Sequence, residues 1–348
     1  MTGISETDLR RRHVIMATWL FIVIAMVFAM VILGGVTRLT HSGLSMVEWR
    51  PVTGWLPPFG EAAWMEVFNK YKLSPEFQKV NYDMDLAGFK QIFWFEFLHR
   101  LWGRIIGLAF FLPFMFFLIR GWVSRDMAPK LIFMFILGGL QGVMGWYMVK
   151  SGLVDRPDVS QYRLTAHFSL ALIIIGYIEW FALGLIFPNK SDAAGETPLK
   201  GYCVFIGMWA FVTALSGGFV AGLDAGFMYN TFPLMDGDMF PPELYALSPI
   251  YLNLFEDIAS VQFNHRILAE TLFVLVAILW WRARNVELTD RGRLSVNCLA
   301  LVVLIQVVLG ITTLLMVIPV PLAAAHQAGA VVVFMTALWT ARELKAGG

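Results

Sequence analysis

Six histidines occur in the chain, and four of them, His99, His167, His265 and His326, fall inside long apolar stretches. An imidazole is costly in hydrocarbon and usually marks function there. Two imidazoles facing each other across a helix bundle can ligate one metal atom from both sides, and haem iron accepts such a pair of axial ligands. A buried histidine hydrogen-bonded across helices is the plainer alternative and suffices for a single residue. Four histidines at matched positions favour ligation, one pair per haem. A zinc or copper ion would need Cys, Met or carboxylate ligands beside the imidazoles, and the only carboxylate at helical spacing from any of the four is Glu96. No Cys-x-x-Cys-His occurs, which excludes covalent attachment of the c type.

Arginines and one acid accompany these histidines. Arg100 and Arg266 each follow a histidine. An arginine near the end of a span can pair with a haem propionate, or simply reach to the interface. Glu96 precedes His99 by three residues and so shares its helix face, whereas the residue at that place before His265 is Gln262. One histidine pair thus has a titratable neighbour and the other a neutral amide. We expect a reactive site at His99 and His167, with Glu96 as its catalytic group, and an electron-transfer haem at His265 and His326. The competing role for Glu96 is a carboxylate at the start of its helix.

The elements that position these residues are long and apolar. The 348 residues are 58% hydrophobic and 15% charged, a balance that points to a lipid environment. Eight stretches suffice to cross a bilayer at about 20 residues each: 14–37, 92–119, 130–149, 164–187, 201–223, 262–281, 295–318 and 321–341. The first is too long for a cleaved signal and reads as a retained helix. Lys and Arg concentrate in the N-terminal arm (Arg10, Arg11, Arg12), the loops holding Arg120, Arg125 and Lys130, Lys190 and Lys200, and Arg282 to Arg293, and the C-terminus (Arg342, Lys345). The loop over 224–260 has none and carries six acids. By the positive-inside rule both termini are cytoplasmic, and all four histidines lie near the outer face of an inner (plasma) membrane. The loop from Thr40 to Lys90 lies outside, and its Pro51, Pro57, Pro58, Trp49, Trp55 and Trp64 suggest an ordered cap. Cys203 and Cys298 read as packing residues. Gly138-Gly139, Gly142, Gly145 and Gly217-Gly218 should permit close helix approach. No basic tract suggests nucleic acid.

The chain repeats itself. His99-Arg100 matches His265-Arg266 at an offset of 166, Gln141 and Gly145 match Gln306 and Gly310 at 165, His167 matches His326 at 159, and Gly34-Gly35 matches Gly217-Gly218 at 183. Each unit has four spans, so the two share one orientation. The expected fold is an all-α membrane protein of eight transmembrane helices, arranged as two parallel-repeat four-helix bundles over 1–190 and 191–348. They are joined by a linker around Ser191–Thr197.

Glu96-x-x-His99-Arg100, Asn264-His265-Arg266, Leu164-Thr165-Ala166-His167, Ala325-His326-Gln327 and Gly34-Gly35-Val36-Thr37-Arg38-Leu39-Thr40 together resemble the haem A synthase family over nearly the whole chain. The resemblance implies an eight-helix enzyme that oxidises a methyl group of haem O to the formyl group of haem A, for terminal oxidases. It implies haem b as cofactor on His265 and His326 with Arg266, and haem O as substrate on His99 and His167 with Arg100. The haem O-forming enzyme, oxidase assembly factors and an electron donor or acceptor are the partners it suggests. Some members carry a cysteine pair in the first outer loop; this chain has none there and resembles the mitochondrial and proteobacterial branch. The rival from the residues alone is a diheme b-type electron carrier or quinol oxidoreductase subunit, which explains four histidines but not the Glu96/Gln262 asymmetry.

Overall fold

A computed structural model describes residues 5–50, 53–153, 159–187 and 199–344. The expected linker at Ser191–Thr197, the boundary at 190/191, Pro51, Lys190 and Lys345 lie outside the described residues. Among the described residues ten α-helices follow one another: α1 (Glu6–Leu39), α2 (Gly60–Tyr71), α3 (Pro75–Lys79), α4 (Leu86–Ile119), α5 (Ala128–Gly152), α6 (Gln161–Ile186), α7 (Lys200–Gly222), α8 (Ile258–Arg282), α9 (Asp290–Leu315) and α10 (Val320–Glu343). No strand forms among the described residues, apart from a single bridge between Met235 and Asp238. Seven helices, α1, α4, α5, α6, α7, α9 and α10, are long and apolar enough to cross a membrane, and the protein is a membrane protein. The remaining expected span corresponds to α8, which has 25 residues but is not among those seven. Its first half carries Gln262, Asn264, His265, Arg266 and Glu270, which dilute its hydropathy.

Helix ends follow local chemistry. The Asp85 side chain accepts from the Gly88 N–H at 2.8 Å and caps α4, so this helix starts six residues before the apolar stretch does. Asp257 caps α8 through Ser260 N–H at 2.9 Å, and Thr289 caps α9 through Gly292 N–H at 3.0 Å. α9 stops at Leu315, three residues short of expectation, because Val317 and Ile318 turn into the left-handed region (φ 59° and 55°) ahead of Pro319.

The chain divides into two compact units, residues 29–170 and residues 1–28 with 171–348. In the second unit α7 packs on α8 and α10, and α9 packs on the same two, closing a four-helix ring. Its core is built from Cys203, Ile206 and Ala210, Leu272, Val276 and Leu279, Val296, Leu299 and Val303, and Val333, Ala337 and Ala341. These recur three or four residues apart, one apolar stripe per helix. In the first unit, Trp64, Phe68 and Tyr71 of α2 pack on Phe89, Phe93 and Phe97 of α4. Each such aromatic, fully buried, contributes roughly 1.5–3 kcal/mol, enough to fasten the segment between α1 and α4 onto the start of α4. That segment is the ordered cap expected from its tryptophans.

One expectation about packing is corrected. A methyl group added at Gly138, Gly139 or Gly142 of α5 would meet nothing within 4 Å. These three glycines are therefore not points of close helix approach. A glycine run shows that a helix can be approached but not which side is. Gly145 and Gly217 are approached, and by histidines.

Candidate histidine sites

In the second unit His265 of α8 and His326 of α10 face each other, ring centroids 6.4 Å apart and ring planes at 90°. A metal atom bound to a nitrogen of each ring at about 2 Å needs a centroid spacing of this size. Small residues make room for the rings. A methyl at Gly217 of α7 would lie 3.1 Å from His265 Cε1, and one at Gly310 of α9 would lie 2.8 Å from His326 Cε1. Each imidazole is thus seated on a glycine of the neighbouring helix. Ser216 Oγ lies 2.7 Å from His265 Nδ1. Gln306 Nε2 donates to the His326 carbonyl at 2.8 Å and lies 3.1 Å from its Nδ1.

The first unit repeats the seating. A methyl at Gly34 of α1 would lie 2.9 Å from His99 Cε1 on α4, and one at Gly145 of α5 would lie 3.2 Å from His167 Cε1 on α6. Gln141 Nε2 donates to the His167 carbonyl at 3.0 Å, as Gln306 does to His326. The Nδ1 atoms of His99 and His167 are buried and make no hydrogen bond. Four histidines on four glycines, two with a glutamine clamped on their own backbone carbonyl, form a repeated device. Imidazoles held in dry niches, with ring nitrogens left unpaired, fit haem iron as the missing partner. Among the described residues no group of three or more His, Cys, Asp or Glu is assembled for a metal ion.

The arginines act on the chain itself. Arg100 donates to the Glu48 and Met46 carbonyls, both at 2.9 Å, and stacks over Trp49 at 5.0 Å. Arg266 donates to the Thr231 carbonyl at 2.9 Å and the Tyr229 carbonyl at 3.0 Å. Tyr229 and Thr231 stand 183 residues after Met46 and Glu48, the offset of the Gly34 and Gly217 pairs, so each arginine lashes down the corresponding loop of its own unit. Arg266 keeps a buried Nε without a partner.

Glu96 is buried and is gripped rather than free. Its carboxylate is paired with Arg100 and accepts from Ser45 Oγ and the Met46 N–H, each at 2.7 Å. It makes no hydrogen bond to His99, although the two share a face. Gln262, at its place in the other unit, donates to the Tyr229 carbonyl at 3.0 Å and leaves its Oε1 unpaired. Beside Arg100 a cleft of about 210 Å³ is lined also by Trp49, Trp146 and Lys150.

The model of the COX15-CtaA family, cytochrome oxidase assembly protein, matches residues 17–338. The chain belongs to this family. It is 53% identical over 331 residues to the heme A synthase of Nitrosospira multiformis, covering 94% of this chain and 93% of that one. The heme A synthase of Parvibaculum lavamentivorans is 47% identical over 344 residues, 99% and 98% of the two chains. The bovine heme A synthase COX15 (Bos taurus) is 42% identical over 339 residues, 95% and 82%. The match to the COX15-CtaA model takes in every histidine of the two pairs and their glycines.

Sequence reasoning had singled out all four histidines, both arginines and Glu96. It had no role for Ser45, Ser216, Gln141 or Gln306. The glutamines were visible as a repeated Gln-x-x-x-Gly, a spacing that places Gln and Gly on one helix face. Ser45 and Ser216 gave no signal, because each acts on a residue about 50 positions away in sequence.

Proposed function

We propose that the protein is a haem-dependent oxidoreductase, a haem A synthase that oxidises a methyl group of haem O to the formyl group of haem A for terminal oxidase assembly. The observation that carries this is the unequal treatment of two like-built histidine pairs: one has a buried, charged Glu96–Arg100–Ser45 cluster alongside, and the other a neutral Gln262. A carrier of electrons alone needs no such difference. The identities to heme A synthases over nearly the whole chain support the same reading.

In this reading the protein has eight membrane helices in two parallel four-helix bundles, over 1–190 and 191–348. It lies in the inner (plasma) membrane with both termini cytoplasmic and the histidines near the outer face. His265 and His326 hold haem b, which when bound supplies one-electron redox chemistry. His99 and His167 hold the substrate, haem O. Arg100 and Arg266 add positive charge at the propionate edges while fixing the covering loops. Conversion of methyl to formyl removes four electrons from the carbon and adds one oxygen atom. With water as the oxygen source four electrons and four protons leave and an electron acceptor is the partner; with dioxygen as the source an electron donor is. The haem O-forming enzyme is the supplier of substrate. Glu96, held by three donors, keeps a negative charge beside the reacting haem; it stabilises developing positive charge and takes up a proton at its carboxylate oxygens when a donor yields.

The experiment is haem extraction, separation and mass measurement from cells that also express a haem O-forming enzyme. The wild type accumulates haem A. Glu96→Gln, which copies Gln262, retains haem b and accumulates haem O or a hydroxylated form, with haem A down by about 10²–10⁴. Haem b alone in the wild type, with no haem O or haem A bound or made, would return the protein to the diheme electron carriers.

A further inference from the structure

The two units treat their first histidine differently on the side away from its partner. In the second unit, Ser216 Oγ stands 2.7 Å from His265 Nδ1 and also 2.7 Å from the Thr213 carbonyl. A hydroxyl has one proton. The carbonyl can only accept, and with the Ser216 proton placed on Thr213, as its 2.7 Å contact allows, Ser216 meets the imidazole with a lone pair. Nδ1 must then be the donor. A neutral imidazole protonated at Nδ1 has its lone pair on Nε2, which is the state an iron ligand needs. Gly217, next to Ser216, is the glycine on which the His265 ring rests. One turn of α7 thus both seats the ring and sets its tautomer.

The first unit keeps the seat and drops the lock. The residues 183 positions before Thr213, Ser216 and Gly217 are Met30, Leu33 and Gly34. Gly34 carries the His99 ring, but Leu33 has no group to receive its proton, and His99 Nδ1 is buried without a partner. No compensating donor or acceptor reaches it from α4.

We infer that Ser216 is a positioning residue that holds His265 in its ligating tautomer and orientation, and that this makes the haem on His265 and His326 the resident one while the haem on His99 and His167 is left exchangeable. The inference rests on the assignment of haem b to the second pair. A hydrogen bond to the outer nitrogen of a ligand imidazole fixes the ring and raises its basicity, and loss of such a partner costs about 10–100-fold in metal affinity. An exchangeable site gains from the lack of that bond, because substrate must enter and product must leave.

The test uses the purified holoprotein and four variants: Ser216→Ala, Ser216→Thr, Leu33→Ser and His265→Ala. Transfer of haem to excess apomyoglobin is timed, the low-spin optical and electron paramagnetic resonance spectra are recorded, and the haem midpoint potential is measured. Ser216→Ala should lose haem about 10–100-fold faster, with a changed low-spin signature and a more positive potential, because the ligand becomes less basic. Ser216→Thr keeps the hydroxyl and should restore wild-type values, which also controls for simple damage to α7. Leu33→Ser should slow release of the haem held by the first pair. In haem-depleted protein, nitrogen-15 spectra of His265 should show Nδ1–H in the wild type and a tautomer mixture in Ser216→Ala. Wild-type haem release and spectra in Ser216→Ala overturn the inference, and so does Nε2–H in the wild type. A full resident haem in His265→Ala overturns instead the assignment on which it rests.

Discussion

The surroundings of His99 and His167 and those of His265 and His326 are built on one plan and finished with different chemistry. In both, each imidazole lies against a glycine of a neighbouring helix, a glutamine grips the backbone of the second histidine, and the arginine after the first histidine ties down two loop carbonyls. The finish differs in three places. Glu96 corresponds to Gln262, Ser45 to Met228, and Leu33 to Ser216. The first pair thus gains buried charge and loses support on its ligand; the second gains support and loses charge. On the proposed assignment, a duplicated scaffold separates a reacting site from a resident cofactor site by a few side chains around the histidines, and not by the histidines themselves.

The largest effect should come from the ligands. His265→Ala or His326→Ala should abolish the permanent low-spin b-type spectrum, whereas His99→Ala and His167→Ala should leave it in place and abolish haem A formation. Visible spectra and pyridine haemochrome content of the four purified proteins decide this; equal loss in all four would erase the division between the pairs.

Next come the glycine seats, which should be alike in both units. Gly310→Ala puts a methyl 2.8 Å from the His326 ring, within a helix contact that cannot open freely. Haem retention should fall by about 10–100-fold, the range for losing outer support of a metal ligand. Gly138→Ala fills open space and should retain haem normally. Similar haem loss in both variants would show a general intolerance of α5 and α9 to side chains and would remove the seats from the comparison.

The arginines should sharpen the contrast in stability. Arg100→Ala strands the buried Glu96 carboxylate and should cost roughly 3–5 kcal/mol, the range for breaking a buried ion pair from one side. Arg266→Ala leaves the Thr231 carbonyl short of a donor, while Tyr229 keeps Gln262, and strands no charge, at roughly 1–3 kcal/mol. Thermal unfolding in detergent compares the two, and an Arg266→Ala penalty as large as that of Arg100→Ala would mean that charge is not what distinguishes the sites.

The smallest effect belongs to the cap. Glu76, between α1 and α4, accepts from Tyr71 Oη at 3.0 Å, and burial, then the Glu96 charge, push its carboxyl up to about 7 against the hydrogen bond from Tyr71. A raised carboxyl is stabilising in its protonated form. Its contribution should be fully present below pH 4.5 and lost as pH rises through about 7. Glu76→Gln should flatten that pH dependence in unfolding measurements; an unchanged profile would place the titration elsewhere.

Much of this was legible in the chain. Long apolar runs fix helices because every backbone group must be paired in lipid, and a repeat of His, Gln and Gly at near-constant offsets marks the histidine sites. The Glu96/Gln262 difference was readable because both lie three residues before a histidine, within reach of helical geometry. Tertiary structure alone decided the rest. That Glu96 is clamped by Ser45 and Met46, that Arg100 and Arg266 spend donors on loop carbonyls, and that Ser216 meets His265 all depend on groups far apart in sequence brought within hydrogen-bond distance. The same holds for the glycines: a missing side chain has no direction in a sequence, so only packing could show that Gly34, Gly145, Gly217 and Gly310 bear imidazoles while Gly138, Gly139 and Gly142 bear nothing. Helical periodicity specifies which residues share a face; what that face meets is set by how whole helices pack.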